Sequence, residues 1–185
     1  MSNNNILERV FRLWAKVAMM IVDGTRDAEK VADILQTIVD ETKTYLSELF
    51  VGVDVVATDG TETFESSGIF TGGIYGLAVP KIAKGKPTKA TKATVWELIL
   101  DASFALFFGS LSKNRKRWTE HQIVQFCRDN SDKLKISLFT FLEMEGGVVA
   151  GVYFYNEGEL VVEVLSFFEK RVWLAEYRRR VVSLQ

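Results

Sequence analysis

The last third of the chain contains three consecutive runs of residues that favour β-strands. They are rich in β-branched and aromatic side chains, and two short glycine-containing connections, Gly146-Gly147 and Asn156-Glu157-Gly158, separate them. The runs are Ile136 to Glu143, Val148 to Tyr155 and Glu159 to Phe168. Consecutive strands with such short connections predict an antiparallel β-meander. Val181-Val182 predicts either a fourth strand or a docked tail.

The first part of the chain has the periodicity of α-helices. Apolar residues recur at helical spacing, so the sequence predicts an amphipathic helix over 5–22 that ends at Asp23-Gly24. Asp27 is expected to cap a second helix that runs to Leu49. A break in its apolar stripe at 40–44 leaves open whether this segment is one helix or two. The two segments together predict a helical hairpin.

Short strands and turns are expected after these helices. Residues 51–56 are β-branched, and Asp59-Gly60 is typical of a type I′ hairpin turn, with Thr61 to Phe64 as a possible return strand. The glycine-rich segment 68–76 fits either a bulged strand or an irregular packed loop. The sequence does not decide between these two alternatives.

Two capping boxes predict further helices in the centre of the chain. Thr94 and Glu97 would open an apolar helix over 95–108, and a second box begins at Thr119. The expected fold class is therefore α+β, with an N-terminal helical hairpin, further central helices and a C-terminal antiparallel meander of three to four strands. A length of 185 residues and a hydrophobic content of 48% suit a single domain over 1–185.

The chain is poor in the residues that most catalytic and metal sites need. Its one histidine, His121, and its one cysteine, Cys127, lie on the same predicted helix and point about 120° apart. A Cys–His pair and a structural zinc site within one chain are therefore excluded. The sequence also lacks a nucleophile elbow and a complete phosphate-binding loop. These exclusions favour a non-enzymatic protein without a cofactor, and a carboxylate-dependent hydrolase is the third alternative.

Positive charge is concentrated in the middle of the chain. Residues 80–128 carry 10 Lys/Arg against 3 Asp/Glu, whereas residues 1–79 carry 6 against 12. Segment 80–94 is expected to be a flexible basic loop or internal linker. The candidate residues for contact with an anionic partner are Lys84, Lys86, Lys89, Lys92, Arg115, Lys116, Arg117 and Trp118. The cations could bind phosphates and the tryptophan could stack on a base; the alternative is a solvated surface, with the tryptophan packed on the helix that follows it.

The expected function is binding. Strands that are apolar on both faces and an excess of aromatic residues predict a surface that a protein partner or a second copy covers. The leading hypothesis is thus a non-enzymatic interaction protein that self-associates or binds another protein, and the alternative is nucleic-acid binding through 81–118. A single cysteine, a start without a basic leader and no apolar run long enough for a membrane span predict a cytoplasmic protein.

Three short strings carry a resemblance to other proteins. They are RDAEKVADILQ at 26–36, WTEHQIVQFCR at 118–128 and VWLAEYR at 172–178. In these strings the chain resembles small uncharacterised proteins encoded in candidate-phylum bacterial genomes. The resemblance implies a bacterial cytoplasmic protein, and it implies no activity and no site residues.

Overall fold

The computed structural model describes residues 3–25, 27–29, 31, 44–112, 114–135, 139–155 and 158–185. The chain divides into two compact units, Met1–Lys43 and Thr44–Gln185.

Helix α1 dominates the described part of the first unit. It spans Asn3–Val22, as its apolar periodicity predicts. It ends at Gly24, whose φ of 74° is the left-handed conformation of a helix C-cap. The Asp27 carboxylate accepts the Glu29 N–H at 2.9 Å, which is the interaction of an N-capping residue. Most of the predicted second helix lies outside the described residues. No helix among the described residues is long and apolar enough to cross a membrane.

Seven strands of the described residues form one mixed sheet in the second unit. They are β1 Leu46–Val55, β2 Gly73–Gly76, β3 Thr91–Leu98, β4 Thr140–Met144, β5 Val148–Tyr155, β6 Glu159–Ser166 and β7 Arg180–Leu184. Their spatial order is β1-β3-β7-β4-β5-β6-β2. The β4–β7 and β2–β6 pairs are parallel, and the other neighbouring pairs are antiparallel. The helices are α2 Phe64–Ser67, α3 Phe104–Gly109, α4 Glu120–Asp129 and α5 Ser131–Leu134, and short 3-10 turns span Lys81–Ala83 and Ala175–Tyr177.

The predicted fold class is wrong about the sheet. The three β-rich runs do form strands β4, β5 and β6, which pair antiparallel in sequence order. They are only one part of a seven-stranded mixed sheet, because β7 joins β4 in parallel and continues the sheet to β3 and β1. Local periodicity identifies strands, but it carries no information on pairing between segments that lie far apart in the chain.

Parts of two predicted helices are strands instead. The start of the helix predicted over 95–108, up to Leu98, belongs to β3, and the described helix in this region covers Phe104–Gly109. The predicted end of the second N-terminal helix, Leu46 to Leu49, belongs to β1. In both places the backbone N–H and C=O groups bond to neighbouring strands, and this tertiary pairing overrides the local helical pattern.

The hairpin predicted at Asp59-Gly60 is also wrong. The Asp59 carboxylate accepts the N–H and the hydroxyl of Thr61 at 2.9 and 2.7 Å, so the aspartate makes a local side-chain turn. The residues expected to form the return strand lead into helix α2. The glycine-rich segment 68–76 contains a strand, β2, which pairs in parallel with β6.

Helices cover both faces of the middle of the sheet. On one face α4 packs Ile123 and Phe126 against a core that includes Leu142. On the other face α3 packs Phe104 and Phe107 among a second set of buried residues. This set includes Phe141, the β4 residue directly before Leu142. Adjacent β4 side chains point to opposite faces. Strands that are apolar on both faces are thus accounted for by burial within the unit.

Candidate anion-binding site

An open cavity of about 490 Å³ lies between the lysine-rich segment and the turn that precedes α4. Five cationic side chains and one carboxylate line it: Lys86, Lys89, Arg115, Lys116, Arg117 and Glu145. Five of the eight residues that the sequence singles out therefore meet in one place. The volume falls in the range of small-ligand sites, about 300–1,000 Å³. We call this feature the basic cavity.

Residues 86–91 form one side of the basic cavity, the lysine wall, and contacts on both sides hold it in place. The backbones of Thr58 and Thr88 exchange N–H···O bonds of 3.2 and 2.8 Å, and their hydroxyls lie 2.9 Å apart. Ala83, in the 3-10 turn, is completely buried. Lys86 Nζ lies 2.7 Å from Glu145 Oε2. Part of segment 80–94 is thus anchored to the body of the unit at three points, and the segment ends within β3.

Gly60 lets the lysine wall approach the rest of the unit. Its φ of 81° favours glycine, and a Cβ built at this position would lie 2.5 Å from the carbonyl carbon of Lys86. Any side chain here would collide with backbone atoms of the wall. The Asp59-Gly60 dipeptide therefore serves the close packing of two loops.

Residues 115–117 form the opposite side of the basic cavity, the arginine wall, and one buried carboxylate, Glu143 of β4, organises it. Arg115 Nε lies 2.7 Å from Glu143 Oε2, and Arg117 Nε lies 2.9 Å from Oε1. The Glu143 backbone carbonyl also accepts the Trp118 N–H at 2.9 Å. One negative charge thus holds two guanidinium groups, and the wall keeps a net positive charge.

Lys89 and Lys116 are the cations most available to a ligand. Both side chains are exposed, and neither has a carboxylate partner within 4.0 Å among the residues that the structure describes. Helix α4 begins at the same cavity, where Thr119 Oγ1 accepts the Gln122 N–H and Gln122 Oε1 accepts the Thr119 N–H. The predicted capping box at Thr119 is confirmed. The positive end of the helix dipole adds to the positive potential there.

Three of the predicted residues do not line the basic cavity. Lys92 pairs with Asp54. Lys84 is half-buried, and its charge acts on the Glu120 carboxyl. Trp118 is only 1% exposed, and its indole N–H donates to the Val182 carbonyl at 3.0 Å. Its ring therefore has no free face on which a base could stack.

Sequence reasoning missed the two carboxylates of the site. Glu143 and Glu145 lie well over 20 residues after the arginine wall in the chain, so no local pattern joins them to it. One signal was present: Glu143 is an acidic residue inside a run that is otherwise mostly apolar. A charge buried in a strand needs a charged partner, and the neighbouring basic turn supplies it.

His121 contacts Glu62, and Cys127 is part of the buried core. His121 Nδ1 lies 3.3 Å from the Glu62 backbone nitrogen, and Nε2 lies 3.3 Å from Glu62 Oε2. A hydrogen bond from Arg128 lowers the pKa of the Glu62 carboxyl. Cys127 is buried, and its desolvation raises the pKa of the thiol. Among the described residues no group of three or more His, Cys, Asp and Glu side chains could hold a metal ion.

Glu120 makes stability depend on pH. Burial raises the pKa of its carboxyl, while a 2.8 Å hydrogen bond from the Phe64 N–H to Oε1 opposes that rise; Oε2 has no partner among the described residues. The folded chain therefore holds this proton more tightly than the unfolded chain, and the stabilisation is lost as the pH rises above about 4.3 and through the raised pKa.

We expect Glu120→Gln to flatten this part of the pH profile. At low pH the variant and the wild type should be about equally stable, and above the raised pKa the variant should be the more stable of the two, because an amide cannot ionise. Urea unfolding at several pH values measures the difference. Glu65→Gln, an exposed neighbour, is the control. A difference between Glu120→Gln and wild type that stays constant with pH would contradict the expectation.

No protein family, curated protein or solved structure matches the chain.

Proposed function

We propose that this protein is a non-enzymatic binding protein whose basic cavity takes a small anion with several phosphate groups. The observation that carries the proposal is the convergence of five cations on one cavity, with Lys89 and Lys116 uncompensated among the described residues. Lysine and arginine are the usual protein partners of phosphate. Glu143 and the anchored loops place these cations before a ligand arrives, which lowers the entropy that binding must overcome.

The residues that line the basic cavity favour a compact ligand over a single-stranded nucleic acid. Among the described lining residues none is aromatic, and stacking on aromatic rings is a principal contribution to single-stranded nucleic-acid binding. Glu145, the lining carboxylate, is already paired with Lys86, so it is poorly placed to act as a general base. Nucleic-acid binding through backbone phosphates is the alternative, and association with a second copy loses one of its supports because the apolar strands β4, β5 and β6 are largely buried on both faces.

Reversing the charges of Lys89 and Lys116 together tests the proposal. Titration calorimetry with inorganic tripolyphosphate is expected to show one site on the wild-type chain, with an affinity that falls as salt is added. Lys89→Glu with Lys116→Glu should weaken binding about 30-fold, equivalent to about 2 kcal/mol, because the two free cations become repulsive. The thermal unfolding midpoint should change little, since both side chains are exposed.

A matched double variant distinguishes an effect of the basic cavity on affinity from an effect of the net charge. Lys135→Glu with Lys170→Glu changes the net charge equally at exposed positions outside the cavity, and it should alter the affinity less than about twofold. No binding by the wild type, or equal losses in both double variants, would contradict the proposal. A short single-stranded DNA that binds far more tightly than tripolyphosphate would favour the nucleic-acid alternative instead.

A further inference from the structure

One hydrogen-bond donor at the basic cavity, the side-chain amide nitrogen of Gln122, has no partner among the described residues. The amide oxygen, Oε1, accepts the Thr119 N–H at 3.1 Å. Because a backbone N–H can only donate, this contact fixes the oxygen toward Thr119 and turns Nε2 away from it. Among the residues that the structure describes, none accepts a hydrogen bond from Nε2, and this nitrogen is not closed off from solvent. The capping box thus orients an amide whose two N–H groups are unused.

The free amide opens on the basic cavity. Gln122 is only 4% exposed, and it lines the cavity. Since Nε2 still meets solvent, the small open part of this side chain includes its N–H groups. Lys89 and Lys116 are exposed, so the amide is more enclosed than either ammonium group. A polar group this enclosed normally has a hydrogen-bond partner, and a ligand oxygen can supply it.

These three groups of the cavity are all donors. Lysine side chains carry N–H donors only, and the open end of Gln122 is an NH2 group. The lining carboxylate, Glu145, lies 2.7 Å from Lys86 Nζ and is therefore occupied. The ligand group that reaches Gln122 must offer acceptors. A terminal phosphate fits best, because it presents three non-bridging oxygens and projects from the rest of the ligand into a restricted opening.

We infer that Gln122 is a specificity-determining residue of the basic cavity and binds a terminal phosphate group of a linear polyphosphate. Its Nε2 donates to a non-bridging oxygen, while Lys89 and Lys116 bind the remaining charge. The inference rests on the proposed function and adds a ligand class to it. The cations attract any polyphosphate, whereas Gln122 favours one with a free end. A cyclic polyphosphate has no terminal group, so it contacts the lysines alone.

Two substitutions of Gln122 distinguish ligand contact from helix capping. Gln122→Glu keeps an oxygen for the Thr119 N–H, since glutamate is the other usual residue at this position of a capping box. It replaces the N–H donor with a negative charge. Gln122→Met has a similar size and no charge, and it removes both the donor and the cap. Capping alone would make Gln122→Met the more harmful change for binding, whereas ligand contact makes Gln122→Glu the more harmful one.

Titration calorimetry with inorganic tripolyphosphate and thermal unfolding measure the two effects on the full chain. Gln122→Met should weaken binding about fivefold through the loss of one hydrogen bond, and Gln122→Glu about 50-fold because a carboxylate repels the phosphate. The unfolding midpoint should fall by about 3 °C in Gln122→Met and by less than about 1 °C in Gln122→Glu. The control is Gln125→Glu, on the same helix but outside the cavity, which should alter the affinity less than about twofold.

Trimetaphosphate, a ring with the same number of phosphates, tests the terminal group. Its affinity should be the same within about twofold for the wild type and Gln122→Met, because it does not reach the amide. Nuclear magnetic resonance gives a direct readout of the contact. The side-chain amide resonance of Gln122, identified by its absence from Gln122→Glu, should move on addition of tripolyphosphate and stay in place with trimetaphosphate.

Three results would overturn the inference and leave the proposed function in place. The first is tripolyphosphate binding by both Gln122 variants that equals the wild type. The second is weaker binding by Gln122→Met than by Gln122→Glu, which would assign Gln122 a capping role alone. The third is an equal loss for the linear and the cyclic phosphate in Gln122→Met. No binding of tripolyphosphate by the wild type would instead contradict the proposed function, and this inference with it.

Discussion

Replacing Trp118 with alanine is expected to lower the free energy of unfolding by about 4 kcal/mol. The side chain is nearly completely buried, its indole N–H donates to the Val182 carbonyl at 3.0 Å, and its ring packs edge-on against Phe126 at 5.2 Å. The substitution removes a large apolar contact, leaves a cavity and deletes a buried hydrogen bond. Urea unfolding followed by circular dichroism measures the change.

Two further substitutions distinguish a packing role of Trp118 from a role in ligand contact. Trp118→Phe keeps most of the ring and loses the hydrogen bond, so it should cost less, about 1–2 kcal/mol. Trp14→Ala at an exposed position should change stability by less than about 0.5 kcal/mol. Folded Trp118→Phe is expected to bind tripolyphosphate as the wild type does. Unchanged stability together with lost binding would place Trp118 in contact with the ligand and would contradict the structure.

Removing the carboxylate of Glu143 is expected to have the second largest effect. Glu143→Leu should lower the free energy of unfolding by about 3 kcal/mol, because it leaves a guanidinium without its partner in a largely buried place. The Arg115 side chain is 11% exposed and bonds to Glu143 through Nε at 2.7 Å. Arg117 is half exposed, so water can solvate its charge and its loss of a partner matters less.

A double variant isolates the cost of the unpaired charge. Glu143→Leu combined with Arg115→Met removes both partners, and it should recover much of the stability lost in Glu143→Leu alone. Chemical unfolding of the wild type, both single variants and the double variant completes the cycle. A double variant no more stable than Glu143→Leu would show that the ion pair is not the reason for the loss.

Patterns within short segments predicted the parts of the fold that short-range forces determine. The apolar spacing of α1 and the capping box at Thr119 both correspond to helices. Gly146-Gly147 lies in the turn between β4 and β5, and β5 and β6 pair antiparallel as the second glycine-containing connection predicts. In these places each backbone hydrogen bond joins segments that are close in sequence, so local residue preference and final structure agree.

The wrong predictions share a different physical origin. Thr94 and Glu97 have the pattern of a capping box, yet their backbone groups pair with β1 and β7, and β7 lies more than 80 residues away in the chain. The basic residues of the site were identified from charge alone. Their arrangement was not, because it depends on Glu143 in a strand formed later in the chain. Composition locates charged groups; long-range contacts decide which of them meet.

One short strand, β7, joins the two halves of the sheet. Residues 180–184 follow the other described strands in the sequence, yet they lie between β3 and β4, near the middle of the sheet. Without β7, β3 and β4 would each present an unpaired edge, and such an edge can capture a strand of another chain. The pairing of five residues therefore closes two edges at once.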